Sequence, residues 1–390
     1  MNQLVYLDHA ATTPLDPRVF DAMVPFLKEE YGNPSSVHRL GRKSRFAVED
    51  ARERIAAVIG AEPSEIIFTS GGTEADNLAV RGYMRMHAGG RLVTSAAEHE
   101  AVLRAADAVG ESGRQVDVLR PSEDGAVAVE SVKDALGRGA AMVSIMHANN
   151  EVGTISPIGE IAAICRDRNV AFHTDAVQTV GVLDVDVAKL DVDMVSASAH
   201  KFYGPKGIGF LFVRGGIELA PLIRGGSQER KRRGGTENVA GVVGMATALE
   251  LARDEQSERF HHAVALKQHL LDALSSALEG EYRISGSADP QRALPNIINI
   301  HFPPVDGKPM DGEMLLLNLD MEGILVSSGS ACTSGAVEPS HVLLAMGVAT
   351  SAAQAAVRIS TGISTTEDAL DRAVEALERV VRRMRRQAAA

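Results

Sequence analysis

Between residues 17 and 250 the chain alternates short β-branched runs with stretches of helical character. The runs are IIFTS at 66–70, RLVTS at 91–95, AMVSIMH at 141–147, VAFHTDA at 170–176 and DMVSASA at 193–199. Strands alternating with helical segments predict a mainly parallel α/β sheet, whose ligands belong at the carboxyl ends of the strands. Past residue 250 the rhythm changes to a long polar helix at 253–278, a strand NIINIHF at 296–302, a helix GEMLLLNLDM at 312–321 and a closing helix within 364–384. In that last segment Ser364 and Glu367 form a capping-box signature, while Leu370, Val374, Leu377 and Val381 share one helical face. The change of rhythm predicts a large unit at 16–252 and a smaller α+β unit made of 1–15 and 253–390.

Composition narrows the picture without redirecting it. With 45% hydrophobic and 23% charged residues, the 390-residue chain has the make-up of an ordinary folded protein, which excludes disordered and fibrous classes. Two cysteines cannot build a disulfide framework or a thiolate-rich metal cluster, and no metal site is expected. There is no basic-then-apolar leader and no long apolar run, so a cytoplasmic protein without membrane contact is expected. A net charge of -11 argues against direct nucleic-acid binding. Of the local basic runs QERKRR (228–233) and RRMRR (382–386), the latter reads as a solvated helix face.

Chemistry collects at the predicted strand ends. IIFTSGGTEADNLAV leads from a strand through Gly71, Gly72 and Thr73 into a helix starting near Glu74, where exposed N–H groups and the helix dipole suit an anion such as phosphate. Asp175 closes the next-but-two strand, either as a local cap or as the partner of a protonated heteroaromatic nitrogen. Ser198, His200 and Lys201 fall where the following strand ends, ahead of a Gly-Pro-Lys-Gly turn. A desolvated lysine amine has a lowered pKa and can form a Schiff base with a carbonyl cofactor. A phosphate cup, a carboxylate and a lysine at neighbouring strand ends together are what pyridoxal 5'-phosphate requires. His99, at the end of RLVTS, could stack on an aromatic cofactor and shuttle protons. Asn149 and Asn150 of HANNEVG could hold a carboxylate or a cofactor oxygen, or simply make a turn.

The motifs YLDHAATTP (6–14), YGNPSSVHRLGR (31–42), SGGTEADN (70–77), AEHEAV (97–102), HANNEVG (147–153), TDAVQT (174–179), SAHKFYGPKGIG (198–209), GGTEN (234–238), SSGSACTSG (327–335) and VRISTG (357–362) follow one another in this order. So arranged, the chain resembles the cysteine desulfurases of the NifS/IscS type, within the fold-type-I pyridoxal-phosphate enzymes. The resemblance implies a large domain with a mainly parallel, seven-stranded sheet and a smaller α+β domain. It implies that Lys201 carries the cofactor as a Schiff base, Asp175 pairs with the ring nitrogen, Gln178 bonds the ring hydroxyl and His99 stacks on the ring. Gly72, Thr73, Ser198 and His200 would hold the phosphate, with Thr236 of a partner subunit, and so a homodimer. Asn150 and Arg358 would bind the carboxylate of the substrate, L-cysteine; for Arg358 a structural salt bridge is the equal alternative.

Cys332 sits among serines, glycine and threonine, whereas Cys165 follows apolar residues on a predicted helix. The resemblance implies that the Cys332 thiolate takes the substrate sulfur as a persulfide, releasing L-alanine, with Lys201 and His99 as proton carriers. The persulfide would then pass to an acceptor protein in iron-sulfur cluster assembly or tRNA thiolation. SSGSACTSG resembles the long-loop, sulfur-mobile members. Housekeeping members of that group end in an extension that docks a scaffold protein; the RRMRRQAAA ending here does not resemble it. A small aminotransferase would share Lys201 and Asp175 but has no use for Cys332, and a non-catalytic sulfur relay would not need Lys201.

Overall fold

The computed structural model describes residues 4–329 and 338–389. In chain order its strands are β1 (Val5–Tyr6), β2 (Ile66–Thr69), β3 (Arg91–Ser95), β4 (Val116–Leu119), β5 (Ala140–Ser144), β6 (Ala171–Asp175), β7 (Met194–Ser198), β8 (Gly209–Val213), β9 (Arg283–Ser285), β10 (Ile297–His301), β11 (Ile324–Leu325) and β12 (Ala356–Ser360). Seven of them form one sheet in the order β2-β8-β7-β6-β5-β3-β4. From β4 to β7 every pairing is parallel, and β8 runs antiparallel to both β7 and β2.

Both faces of this sheet are covered, so its central strands carry apolar side chains in both directions. Ile66, Phe68, Val143, Phe172, Val195 and Phe210 point into one cluster, shared with helices Arg39–Ile59 and Val239–Asp254. Their neighbours Ile67, Met142, Ala171, Met194 and Leu211 point into another, against the helical stretch after Gly72 and helix Glu100–Glu111. This is the period of two expected of a strand, written twice with opposite phase. Two strands of this sheet escaped the sequence pattern, for different reasons. β4 is an outer strand whose residues are mostly half-buried, so it lacks an apolar run; β8 follows the Gly-Pro-Lys-Gly turn and reads as part of it.

A separate cluster contains Val5 and Leu7, Leu266 and Leu270 of helix Gln256–Leu278, Ile298 of β10 and Val357 of β12. Leu370, Val374, Leu377 and Val381 of the last helix, Glu367–Ala389, all point into it. The helix expected from residue 253 begins at Gln256, because Asp254 ends the preceding helix. Glu255 occupies the junction and pairs with Arg18 and Arg259. The cap of the last helix also differs from the expected Ser364: the Thr366 hydroxyl accepts from Ala369 N at 3.2 Å. Nor is RRMRR simply solvated. Arg382 reaches Glu378 and Ala277 O, Arg383 reaches Asn318, and Arg385 donates to Pro303 O.

Leu370 is fully buried within this separate cluster. Leu370→Ala is expected to destabilise the fold by about 2–5 kcal/mol, the usual cost of a large-to-small core change. Equilibrium denaturant unfolding measures it.

Candidate active site

β2, β6 and β7 all end on the same side of the sheet, and each delivers a piece of the site. Beyond β2 the chain turns at Ser70–Gly71 and is helical from Gly72 through Met86, with a wider turn over Leu78–Gly82. The helix therefore starts two residues before the expected Glu74. Glycine is required in the turn and behind it. Gly71 has φ 148°, and a Cβ on Gly209 would lie 2.4 Å from Ala197 O and 2.8 Å from Gly71 Cα. Such close approach lets β8 press the turn against Ser198, whose Oγ lies 3.6 Å from the Cβ position of Gly71. Thr73 is exposed beside these groups. The turn offers backbone donors and small hydroxyls, a fit for a phosphate group.

Lys201 stands just past β7, and its amine is held from an unexpected quarter. Nζ donates to the carbonyls of Ala10 and Ala11 at 2.5 and 2.9 Å. Gln178 Nε2 donates to the same Ala10 carbonyl at 3.0 Å. Thr12 and Thr13 meet His200, through Nδ1 at 3.2 Å and through its carbonyl at 3.0 Å. Residues 10–13 belong to the YLDHAATTP motif, yet the site role of Ala10 and Ala11 rests on backbone carbonyls, which no side-chain pattern reveals. Burial, and secondarily Arg358, lower the Lys201 amine to about 8. Burial likewise lowers His200 to about 4.

Asp175, at the end of β6, is buried and accepts from Val177 N at 2.9 Å. Burial raises its pKa, while His99 and Lys201 pull it back down. Two more buried carboxyls, Asp76 and Glu98, are raised by burial too and repelled by Asp175. Asp175, Asp76 and His99 bring side-chain polar atoms within 4.8 Å of one another. His99 caps helix Glu100–Glu111, its Nδ1 accepting from Ala101 N at 3.1 Å. That bond assigns the imidazole proton to Nε2. Desolvation lowers the pKa of His99, so the ring is neutral at pH 7. A buried carboxylate without a cationic partner is costly. Asp175 therefore fits a protonated ring nitrogen, and the lowered Lys201 amine fits a carbonyl; together with the phosphate turn they suit pyridoxal 5'-phosphate.

Arg358 enters from β12, between Val357 and Ile359 of the smaller sheet's cluster. Its Nη2 pairs with Asp8 at 2.7 Å and its Nη1 donates to Asn150 O at 2.9 Å. The structural salt bridge is thus present, while Arg358 Nε and Asn150 Oδ1 are buried without hydrogen-bond partners among the described residues. Asn149 makes the turn instead: its Oδ1 accepts from Glu151 N and Val152 N, and its Nδ2 donates to Ala97 O. Ser327 bridges Arg358 backbone to backbone and donates to Asp8 at 3.0 Å. SSGSACTSG therefore departs from the chain beside Arg358; Cys332 itself lies outside the described residues. Thr236 is exposed and hydrogen-bonds to none of these groups among the described residues. Cys165 is buried in the first cluster and its thiol is pushed up to about 12 by burial, as inert packing requires.

A lysine, an aspartate and a phosphate turn at the strand ends of such a sheet define a pyridoxal-phosphate enzyme site. Residues 5–373 match the aminotransferase class-V family, and the chain belongs to that family. It is similar to the cysteine desulfurase IscS of Dictyoglomus turgidum, 46% identical over 387 residues covering 99% of this chain and 96% of the relative. It is also similar to the putative cysteine desulfurase IscS 1 of Bacillus subtilis, 44% identical over 97% of this chain and 99% of that one. Among solved structures, a NifS-like protein superposes with a TM-score of 0.89 at 37% identity, covering 97% of this chain and 100% of its own.

Two outcomes follow from the electrostatics. Asp175 has a folded pKa above its unfolded one, so keeping it charged at neutral pH costs stability. Asp175→Asn is expected to raise the melting temperature of the cofactor-free chain at pH 7, and to lower the retention of pyridoxal phosphate. The Lys201 amine should react with an amine-directed reagent along a titration centred near pH 8, against about 10.4 for an ordinary lysine; peptide mapping of the label against pH reads this out.

Proposed function

We propose that this chain is a pyridoxal-phosphate-dependent cysteine desulfurase. It converts L-cysteine to L-alanine and leaves the sulfur as a persulfide on Cys332. In the net reaction the carbon–sulfur bond of the substrate breaks, a sulfur–sulfur bond to Cys332 forms, and the carbon that loses sulfur takes up a proton. The observation that carries the reading is the Lys201 amine, desolvated and lowered to about 8, beside buried Asp175 in a chain 46% identical to a cysteine desulfurase.

Bound pyridoxal 5'-phosphate supplies a carbonyl for amines and a ring that accepts the electrons released at the substrate Cα. Lys201 would hold it covalently, Asp175 at the ring nitrogen, Gln178 at the ring hydroxyl and His99 against the ring. Gly72, Thr73, Ser198 and His200 would hold its phosphate. Asn150 and Arg358 orient the substrate carboxylate; the unpartnered Arg358 Nε supports this, since Asp8 already fixes the other end of the guanidinium. The Lys201 amine, lowered to about 8, would take the proton from Cα, and His99, with its Nε2–H free of the helix cap, would move a second proton. The Cys332 thiolate attacks the substrate sulfur and then carries it to an acceptor protein.

The finer assignments are part of the same proposal. The acceptor is an iron-sulfur scaffold or a sulfur carrier. The chain works as a homodimer in which Thr236 reaches the neighbouring phosphate site; its exposure, and that of Phe20, Leu27 and Phe46 on the first two helices, support this. Two units, 16–252 and 1–15 with 253–390, are supported by separate apolar clusters, one drawn from residues 19–252 and one from Val5, Leu7 and residues 266–381. A cytoplasmic location accords with the finding that no helix among the described residues is long and apolar enough to cross a membrane.

Lys201→Ala is expected to abolish the visible absorbance of the cofactor-loaded protein together with alanine formation. Cys332→Ala should keep the absorbance and lose persulfide formation. A Cys332→Ala variant that makes alanine and sulfide from cysteine at the wild-type rate contradicts the mechanism.

A further inference from the structure

β2 is an outer strand of the seven-stranded sheet and runs directly into the 70–73 turn. An outer strand has backbone groups with no neighbouring strand to meet them. Here two of them are met by side chains. Arg52 Nη1 donates to Ile66 O at 2.9 Å, and Phe68 N donates to Glu229 Oε2 at 3.0 Å. The two side chains also close on each other fork to fork, Nη1 to Oε2 at 2.9 Å and Nη2 to Oε1 at 2.8 Å. The Arg52 guanidinium lies 4.4 Å from the centre of the Phe68 ring. Only 5% of Arg52 and 7% of Glu229 is exposed. A buried ion pair thus stands along the edge of β2 where a further strand would run.

Glu229 also begins an unusual stretch of backbone. Glu229, Arg230 and Lys231 have φ of 44°, 54° and 67°. Side-chain-bearing residues disfavour this left-handed region, and a run of three persists only where surrounding contacts impose it. Glu229 supplies that contact at the start of the run. At its far end Arg233 pairs with Glu74 at 2.9 Å, and Glu74 in turn accepts from Ser70 N at 2.7 Å. Gly234, Gly235 and Thr236 follow. One loop therefore grips the 70–73 turn twice: through the strand that enters it and through the helix that leaves it.

Ion pairs of this kind add little stability compared with apolar side chains packed in the same space. What the geometry supplies instead is position. We propose that Arg52 and Glu229 are positioning residues for phosphate binding. By closing the edge of β2 they fix the 70–73 turn and seat the loop that carries Thr236. Neither touches the phosphate; they act through the backbone of Ile66 and Phe68 and through the left-handed run. The proposal rests on the reading of the 70–73 turn as the seat of the cofactor phosphate.

The test compares the affinities of the full-length chain for pyridoxal 5'-phosphate and for pyridoxal, which lacks the phosphate. Wild type should prefer the phosphorylated form strongly. In Glu229→Gln and Arg52→Met that preference is expected to fall about tenfold or more, the scale of losses from a displaced binding group. Affinity for pyridoxal should hold, and hydrogen exchange should quicken at the Phe68 amide and over 230–236. Arg52→Met leaves the buried Glu229 without its main partner, and Glu229→Gln leaves Arg52 only the half-exposed Glu49 at 3.4 Å; the double variant R52M/E229Q removes both buried charges and carries the same expectation where a single one does not fold. Folded variants that lose affinity for both compounds equally, or for neither, overturn the proposal. A wild-type chain that binds the two compounds alike overturns the phosphate reading itself, and this proposal with it.

Discussion

The Ala10 carbonyl is the point on which the site turns. It accepts from Lys201 and from Gln178, two side chains the main sheet places at the ends of different strands. The same residue donates its N–H to Ser360 at the end of β12. Two residues upstream, Asp8 holds Arg358 and Ser327; three downstream, Thr13 holds His200 and Tyr203. One short turn near the N-terminus thus ties the amine-bearing end of the main sheet to the arginine-bearing strand of the smaller one. Backbone carbonyls suit this task because they accept hydrogen bonds from an amine without adding charge to a crowded site.

Charge is the second organising fact. Asp175, Asp76 and Glu98 crowd three buried carboxyls at one end of the sheet, and burial raises all of them. Lys201 sits opposite, with its own charge disfavoured by burial and by Arg358. Neither side of the site is at ease without a ligand: the carboxyls want a cation and the amine favours its neutral form. A cofactor that presents a protonated ring nitrogen to one and a carbonyl to the other relieves both. Hence two of the groups that destabilise the cofactor-free chain, Asp175 and Lys201, are among those expected to bind the cofactor.

Much of this was legible in the sequence, and the remainder was hidden for identifiable reasons. β2, β3, β5, β6 and β7 announce themselves because both of their faces are apolar. Asp175, Ser198 and Lys201 were placed correctly at strand ends, since strand ends are set by where the apolar runs stop. β4 and β8 were not visible, one for want of burial and the other because a turn masked its start. Ser364 looked like a helix cap and Thr366 is the cap, a choice made among three consecutive hydroxyl-bearing residues. The roles of Ala10 and Ala11 were invisible in principle, as alanine side chains carry no chemistry. Arg52 and Glu229 lie 177 residues apart, and nothing in either local pattern pairs them.

Only two thiols exist in the chain. Cys165 is sealed among aliphatic side chains with its thiol pushed up to about 12; Cys332 belongs to a stretch that begins beside Arg358. The most direct measurement is mass spectrometry of the loaded enzyme after brief exposure to L-cysteine, with persulfides trapped by alkylation and mapped to peptides. One added sulfur on the Cys332 peptide, and none on the Cys165 peptide, is the predicted result. Alanine release with no added sulfur on Cys332, or with sulfur on Cys165, would contradict the account.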